Sequence, residues 1–195
     1  RVEGETAAYA AASSGDIQSV RLLHELRADL DKAKVSGTVP ASMAAQRGHT
    51  AMVQLLYALG ADVHKARPDG VLALHAAARN GHDKIVSLLL SLRANADAKA
   101  VKESAGVTAC YQTATYGQPM VLRVLIEHRA DIDLPNNQQI TPLWIAAQEN
   151  KPECIAILAA AKASIDVLSR DSASPIARAG ESGGAESVRL LAYLG

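Results

Sequence analysis

The chain has 195 residues, and its 20 basic and 20 acidic side chains give a formal net charge of zero. This balance gives no indication of binding to nucleic acid or to an acidic membrane surface. No apolar run reaches the roughly 18 residues that a membrane-spanning helix needs, and no signal-peptide pattern opens the sequence. The sequence therefore predicts neither membrane insertion nor a cleaved leader.

A short helix followed by a glycine-polar or similar step recurs along the whole sequence. The intervals between consecutive steps are 33, 33, 36, 33 and 33 residues. A fixed period of this length indicates one small structural unit stacked several times. In such an array, function usually depends on the surface that the stacked units expose and not on a catalytic cluster. The six steps are Gly15-Asp16, Gly48-His49, Gly81-His82, Gly117-Gln118, Asn150-Lys151 and Gly183-Gly184.

Each period predicts two helices with different side chains. The first helix is short and rich in alanine, which allows close approach of the next unit. The second has apolar residues at helical spacing, as in Ile85, Val86 and Leu89. A hydroxyl residue precedes most first helices and is expected to cap them, with proline at the next position in several units. The predicted caps are Thr6, Thr108, Thr141 and Ser174, whereas Val39 before Pro40 is a poor cap.

The best-preserved motifs identify a family. The fifth unit reads Ile140-Thr141-Pro142-Leu143-Trp144-Ile145-Ala146-Ala147, and the third unit has Leu74-His75-Ala76 at the same position. This pattern resembles the ankyrin repeat, in which Thr-Pro-Leu-His-x-Ala opens a pair of antiparallel helices after a β-turn. The resemblance implies an all-α ankyrin-repeat solenoid of stacked helix–turn–helix units joined by β-turn arms. It covers residues 1–195 as a single array, with approximate repeats 4–36, 37–69, 70–105, 106–138, 139–171 and 172–195, the last of them incomplete.

The residues capable of chemistry are explained by the repeat. His75 occupies the histidine position of the motif, where it is expected to hydrogen-bond locally, and His49 and His82 follow helix-terminal glycines. No histidine pair has metal-binding spacing, and no phosphate-binding glycine loop is present. Cys110 and Cys154 are predicted to be small buried hydrophobic residues, which favours a reducing compartment. The sequence predicts a protein that is not an enzyme and has no metal or cofactor.

The resemblance implies a partner-binding groove formed by the first helices and the turn tips. An aromatic anchor near arginines is the composition expected at the centre of an interface. The alternative is that all these positions are simply solvated. The predicted contact residues are Arg47, Arg79, Asn80, Tyr116, Gln148 and Glu149 in the first helices, Asp69, Asn137 and Gln138 in the turns, and Lys102 in the lengthened turn between the third and fourth units.

Two further departures from the motif carry expectations about structure. Trp144 occupies the histidine position of the fifth unit, where packing in the core is favoured over a role in the groove. Gln139 and Ser172 replace the turn glycines of the other units, so their turns are expected to be strained or differently shaped.

These observations favour a non-catalytic interaction module that binds another protein. Two alternatives remain open: a structural subunit of a large multiprotein assembly, and the targeting segment of a larger multidomain enzyme. The terminal repeats keep apolar residues such as Leu190 and Leu194, so we expect a segment of a longer polypeptide or a fragment that docks its ends on another molecule.

Overall fold

The computed structural model describes residues 5–100 and 106–195, which form two compact units. Unit 1 extends to Ala94, and unit 2 runs from Asn95 to Gly195. In the described parts of the chain, the helices are connected by turns and irregular segments, with one antiparallel bridge between Ala100 and Val107. Lys102 and most of the lengthened turn lie outside the described residues. The predicted single array and its repeat boundaries stay predictions.

Unit 1 contains three consecutive helix pairs. The first helices of the pairs pack on one another in sequence, and so do the second helices. Each first helix also packs on the second helix of its own pair. The helices are α1 (Ala7–Ser14), α2 (Ile17–Glu25), α3 (Pro40–Arg47), α4 (Thr50–Ala58), α5 (Ala73–Arg79) and α6 (Asp83–Ser91).

Unit 2 repeats this arrangement with three more pairs. Again the first helices pack in sequence, as do the second helices, so no helix has to bury its apolar face alone. The helices are α7 (Ala109–Tyr116), α8 (Pro119–Glu127), α9 (Pro142–Gln148), α10 (Pro152–Ala160), α11 (Pro175–Glu181) and α12 (Ala185–Leu194).

The predicted caps begin four of the six first helices. The hydroxyl oxygens of Thr6, Thr108, Thr141 and Ser174 accept hydrogen bonds from the N–H three residues later, at 3.1–3.3 Å. They satisfy a backbone donor that lacks a partner within its helix. Before α3, Val39 makes no such bond. Before α5, the N–H of Leu72 donates to Nδ1 of His75 at 3.1 Å, which confirms the local role predicted for this histidine.

The turns that precede the first helices share one left-handed residue. Its φ is +80° at Gly37 and +79° at Gly70, but also +61° at both Gln139 and Ser172. In each of these turns the left-handed residue donates its N–H to the carbonyl three residues back, at 2.8–3.1 Å. Gln139 and Ser172 therefore keep the same turn shape and adopt a conformation that disfavours a side chain, so the predicted strain is confirmed.

The core of each unit consists of alanine columns from the first helices and branched apolar residues from the second helices. Ala12, Ala44 and Ala77 in unit 1 are fully buried, as is Ala146 in unit 2. Small side chains at these positions allow the backbones of adjacent first helices to approach closely. Trp144 differs from these alanines in being a large side chain of a first helix. It is 2% exposed and packs within unit 2, which confirms the predicted core position.

Carboxylates link the arms of successive repeats within each unit. The carboxylate of Asp31 accepts the N–H of Asp62 at 3.0 Å, and that of Asp133 accepts the N–H of Ser164 at 2.9 Å. These side chains pair backbone donors that the turns leave without a partner, so they fix the register between neighbouring repeats.

Candidate interaction surface

In unit 1, the C-terminal ends of the first helices form an exposed polar surface. Arg47 and Arg79 end α3 and α5 and are exposed, although most other residues of these two helices are buried. Asn80 caps α5, and its side-chain amide donates to the carbonyl of Ala76 at 2.7 Å. We call this the first-helix surface of unit 1, and it consists of Ser13, Ser14, Gln46, Arg47, Arg79 and Asn80.

Two histidines hold the backbone of this surface in place. The Nε2 atom of His49 is hydrogen-bonded to the carbonyl of Ser13 at 3.2 Å, and that of His82 to the carbonyl of Gln46 at 3.1 Å. Each ring reaches from the start of a second helix back to the end of the first helix in the preceding repeat. These histidines therefore fix the backbone at the ends of α1 and α3.

Asp69 does not project from its turn as predicted. Its side chain is buried, its carboxylate lies 2.8 Å from the guanidinium of Arg67, and it accepts the N–H of Val71 at 3.1 Å. A carboxylate that caps its own turn in this way organises the backbone. The placement of Asp69 at an accessible turn tip is therefore wrong.

In unit 2, three predicted contact residues lie at the ends of first helices. Tyr116 ends α7 and is 44% exposed, which makes it the largest apolar side chain exposed on a first helix of this unit. Gln148 ends α9, and its amide donates to the carboxylate of the exposed Glu149 at 3.0 Å. Gln148, Glu149 and Tyr116 carry no positive charge. This part of unit 2 therefore differs from the first-helix surface of unit 1, which contains two arginines.

Asn137 and Gln138 are both exposed in the turn before α9, as expected. The carbonyl of Gln138 accepts the N–H of Arg170 at 3.2 Å, so this turn contacts the next one. Asn136 was not among the predicted site residues. It is buried, and its side-chain oxygen accepts the N–H groups of Gln138 and Ile140 at 2.9 and 3.0 Å. Asn136 takes the turn-organising role here, and its position just before the exposed pair was the available signal.

A pocket of about 500 Å³ lies between the turns and first helices of unit 2. Arg178 is one of its lining residues and lies 2.6 Å from Asp171 and 2.7 Å from Glu181, with its guanidinium 5.2 Å from the centre of the Trp144 ring. The hydroxyl of Ser169 donates to Asp171, and this bond, aided by Arg178, lowers the pKa of that carboxyl below its ordinary value. The lining residues are Gln138, Ile140, Trp144, Gln148, Ser169, Arg170, Asp171 and Arg178.

Both cysteines are free and buried, which confirms the prediction that they serve as small hydrophobic residues. Burial, with smaller contributions from Asp97 and Asp131, raises the pKa of Cys110 to about 12. Burial and the adjacent Glu153 raise the pKa of Cys154 to about 11. Neither thiol is a nucleophile near neutral pH, because the thiolate is the reactive form.

We expect a thiol reagent at pH 8 to leave both cysteines unmodified in the folded chain and to label both in denaturant.

The raised pKa values of Cys110 and Cys154 also predict a pH dependence of stability. The folded state favours the neutral thiols, so their contribution is complete below about pH 9 and is lost as the pH rises towards 11 and 12. Urea unfolding between pH 7 and 10.5 measures this, with a Cys110→Ala/Cys154→Ala variant as control. An equal decline in that variant would assign the effect to other groups.

Within residues 5–100 and 106–195, no group of three or more His, Cys, Asp or Glu side chains is arranged to hold a metal ion. None of the helices in these two ranges combines the length and the apolar character that a membrane span requires.

The repeated helix pairs agree with the protein family whose model matches the sequence. A family model described as "Ankyrin repeats (3 copies)" matches residues 1–67, 41–136 and 110–195, which together span the chain. The chain belongs to the ankyrin repeat family. Ankyrin repeats are in general protein–protein interaction modules and are typically not catalytic. The predicted membership of this family is therefore confirmed.

A comparison of structures supports the ankyrin fold. The crystal structure of the human ASB11 ankyrin repeat domain superimposes with a TM-score of 0.87 at 22% sequence identity, covering 98% of this chain and 84% of that one. At this identity the similarity concerns the fold alone, and it confirms the predicted all-α ankyrin-repeat solenoid. Comparison with curated protein sequences gives no match.

Proposed function

We propose that this ankyrin repeat chain is a non-catalytic interaction module that binds a partner protein through the ends of its first helices. The observation that carries the proposal is the contrast within these helices. Their central residues are buried, whereas Arg47, Arg79 and Tyr116 at their ends are exposed. Surface arginine and tyrosine are the residue types most often responsible for binding energy at interfaces.

The proposal is also supported by how firmly these ends are fixed. Of the helices that carry them, α7 has a capped start and α5 a histidine-bound start, and His82 binds the end of α3. A surface that is already ordered loses less conformational entropy on binding. In unit 2, the exposed Asn137, Gln138 and Glu149 extend the proposed contact region around Tyr116.

The test is the affinity for a partner isolated by cross-linking and affinity purification from native material. We expect the variant Arg79→Ala/Tyr116→Ala, with one substitution in each unit, to bind at least about 100-fold more weakly, as for the loss of two interface anchors. The matched control is Arg21→Ala/Tyr57→Ala, which removes the same exposed residue types from second helices. Titration calorimetry gives the affinities, and circular dichroism checks that both variants are folded.

Equal affinity of the two variants would contradict a contact through the first helices. A larger loss in the Arg21→Ala/Tyr57→Ala control would assign the contact to the second helices. The exposed apolar side chains Leu22, Leu26 and Val35 in the first repeat, which are 55%, 70% and 88% exposed, favour the alternative of a structural subunit in an assembly. That alternative is supported if the partner protects these side chains and leaves the first-helix ends accessible to labelling.

A further inference from the structure

The first helix pair, α1 and α2, leaves uncovered apolar positions that the other pairs of unit 1 bury. Leu23 of α2 is partly exposed, whereas Leu56 at the same position of α4 is fully buried. Ala7 of α1 is exposed, whereas Ala73 at the same position of α5 is buried. These two positions are therefore covered only where another helix pair precedes them.

Two larger side chains extend this uncovered side of α2. Leu22 and Leu26 are 55% and 70% exposed, and they share a side of the helix with Leu23 because of their spacing of three and four residues. Ala7 and Leu23 also line a depression of about 720 Å³. We call this surface the head face, and it consists of Ala7, Leu22, Leu23 and Leu26.

The last helix pair, α11 and α12, leaves a different set of positions uncovered. Ile176 of α11 is 39% exposed, whereas Leu143 at the same position of α9 is fully buried. Val188 of α12 is partly exposed, whereas Ile155 at the same position of α10 is fully buried. These positions are covered where another helix pair follows them.

Gly180 extends this uncovered side of α11. It is exposed, and a Cβ atom there would meet nothing within 4 Å, whereas Ala147 at the same position of α9 is fully buried. Ala177 is exposed as well and lies three residues before Gly180, on the same side of the helix. We call this surface the tail face, and it consists of Ile176, Ala177, Gly180 and Val188.

The head and tail positions lie on opposite sides of a helix pair. In the first pair, Ala8 and Val20 occupy tail positions and are buried. In the last pair, Pro175 and Leu191 occupy head positions and are buried. The preceding pair therefore covers the head positions of a pair, and the following pair covers its tail positions. Within a unit, each junction between pairs consists of a tail side packed on a head side.

We propose that the tail face of one copy of this chain packs on the head face of a second copy, in the way that consecutive helix pairs pack within a unit. This contact goes beyond the proposed function and uses other residues. A second copy supplies to each face the side that the same positions meet in an internal junction, so the sizes of the side chains match. Removal of these apolar side chains from water favours the contact.

The two faces differ, so the contact is heterologous. A copy bound through its tail face keeps its head face free, and its neighbour keeps its tail face free. Contacts of this kind form a ring if the rotation between copies closes, and otherwise they continue from copy to copy. Association is therefore expected to pass beyond a dimer as the concentration rises.

Charged side chains of both signs border the two faces. The depression at the head face is lined by two acidic and two basic residues, whose charges sum to zero: Glu5, Asp29, Lys32 and Lys34. On α11, Arg178 is paired with Asp171 and Glu181. The second helices also carry both signs, with Arg21 and Glu25 exposed in α2 and Glu186 and Arg189 exposed in α12. The contact therefore does not bring together two surfaces of one charge.

Sedimentation velocity of the chain over a roughly 100-fold range of concentration tests the proposal. We expect the weight-average mass to rise with concentration and to exceed twice the mass of one copy. A monomer at every concentration would overturn the proposal. A dimer that grows no further would overturn the heterologous contact.

Two variants each block one face by placing a carboxylate on it. Leu22→Glu changes the head face and Ile176→Glu the tail face, and both side chains are exposed in a single copy. Each variant alone should be monomeric. An equimolar mixture should form a dimer and nothing larger, because only one intact tail face and one intact head face remain. Leu26→Glu provides a second head variant with the same expectation, and circular dichroism checks that all variants are folded.

The matched control is Tyr57→Glu/Met120→Glu, which places carboxylates on exposed apolar positions of α4 and α8. It should associate as the unchanged chain does. Equal weakening in the control would overturn the proposal in favour of non-specific association of apolar surfaces. A mixture of the two face variants that stays monomeric would reject the pairing of these faces.

The self-association and the proposed function can fail separately. The variant Arg79→Ala/Tyr116→Ala should associate with itself as the unchanged chain does, whereas Leu22→Glu and Ile176→Glu should keep their affinity for the native partner as monomers. Loss of self-association in Arg79→Ala/Tyr116→Ala would reject the head and tail faces as the contact between copies.

Discussion

Replacing Trp144 by alanine is expected to lower the free energy of unfolding by about 3–5 kcal/mol. The side chain is 2% exposed, so the substitution removes a large buried ring and leaves a cavity between α9 and its neighbours. It also removes the hydrogen bond from the indole N–H to the carbonyl of Ala173, which is 2.9 Å long and joins the repeat of Trp144 to the next turn. Domains are stable by about 5–15 kcal/mol, so this loss is a large fraction of the total.

The variant Trp144→Phe separates packing from the hydrogen bond. It keeps a ring in the core but leaves the Ala173 carbonyl without its donor, so we expect a smaller loss of about 1–2 kcal/mol. Urea unfolding followed by circular dichroism at 222 nm measures both variants. Similar losses in the two would mean that the hydrogen bond, and not the volume of the ring, determines the stability at this position.

Trp144 further supports the guanidinium of Arg178, which lies over its ring while binding Asp171 and Glu181. In Trp144→Ala this support is lost, and the pocket of unit 2 loses one of its walls. Effects of this variant on partner binding therefore have to be compared at a temperature where it is still folded.

The period of the sequence predicts a stack of similar helix pairs, and the resemblance of its motifs to the ankyrin repeat implies the fold of each pair. Glycine-polar steps every 33 residues, hydroxyl caps such as Thr141 and apolar residues at helical spacing all reflect local physics: left-handed helix ends, unpaired backbone donors and buried faces. Each of these is repeated, so a degenerate copy such as Val39 before α3 does not obscure the pattern. The helix pairs and their caps follow from it directly.

The turns were harder to predict, because the side chain that accepts backbone N–H groups comes from a different position in each turn. Asp69 lies one residue before the left-handed Gly70, and Asn136 lies three residues before the left-handed Gln139. Asp69 and Asn137 both resemble exposed polar turn residues in sequence. Whether a side chain faces solvent or binds its own backbone depends on which turn residue supplies the internal acceptor. In the turn before α5 it is Asp69, whereas in the turn before α9 it is Asn136. Local sequence does not determine this choice, since both residue types accept N–H donors equally well.

The hydrogen bonds between repeats could not be predicted from the sequence either. The bonds of Asp31 to Asp62 and of Asp133 to Ser164 connect residues that are 31 positions apart. The rings of His49 and His82 similarly reach 36 positions back. These contacts arise from stacking, so they require the spatial register of neighbouring repeats and not only the pattern within one.

The second large effect concerns Gly37, where we expect substitution by alanine to lower the free energy of unfolding by about 2–4 kcal/mol. Gly37 has φ +80°, which costs an L-residue about 1–2 kcal/mol. A Cβ atom there would also lie 2.3 Å from Cδ of Pro68 in the next turn. A proline ring has little freedom to move away, so the overlap adds about 1–2 kcal/mol of strain.

Gly60 provides a control with the same backbone conformation and no overlap. Its φ is +86°, but a Cβ atom would meet nothing within 4 Å. Other repeats place Arg27, Arg93, Arg129 or Lys162 at the corresponding left-handed position after the second helix, so a side chain is tolerated there. Gly60→Ala should therefore cost at most about 1 kcal/mol, because the loss of freedom in the unfolded chain offsets part of the strain. If urea unfolding gives equal losses for both variants, backbone conformation alone determines the cost. A larger loss for Gly37→Ala would show that the close approach of Pro68 requires glycine in this turn.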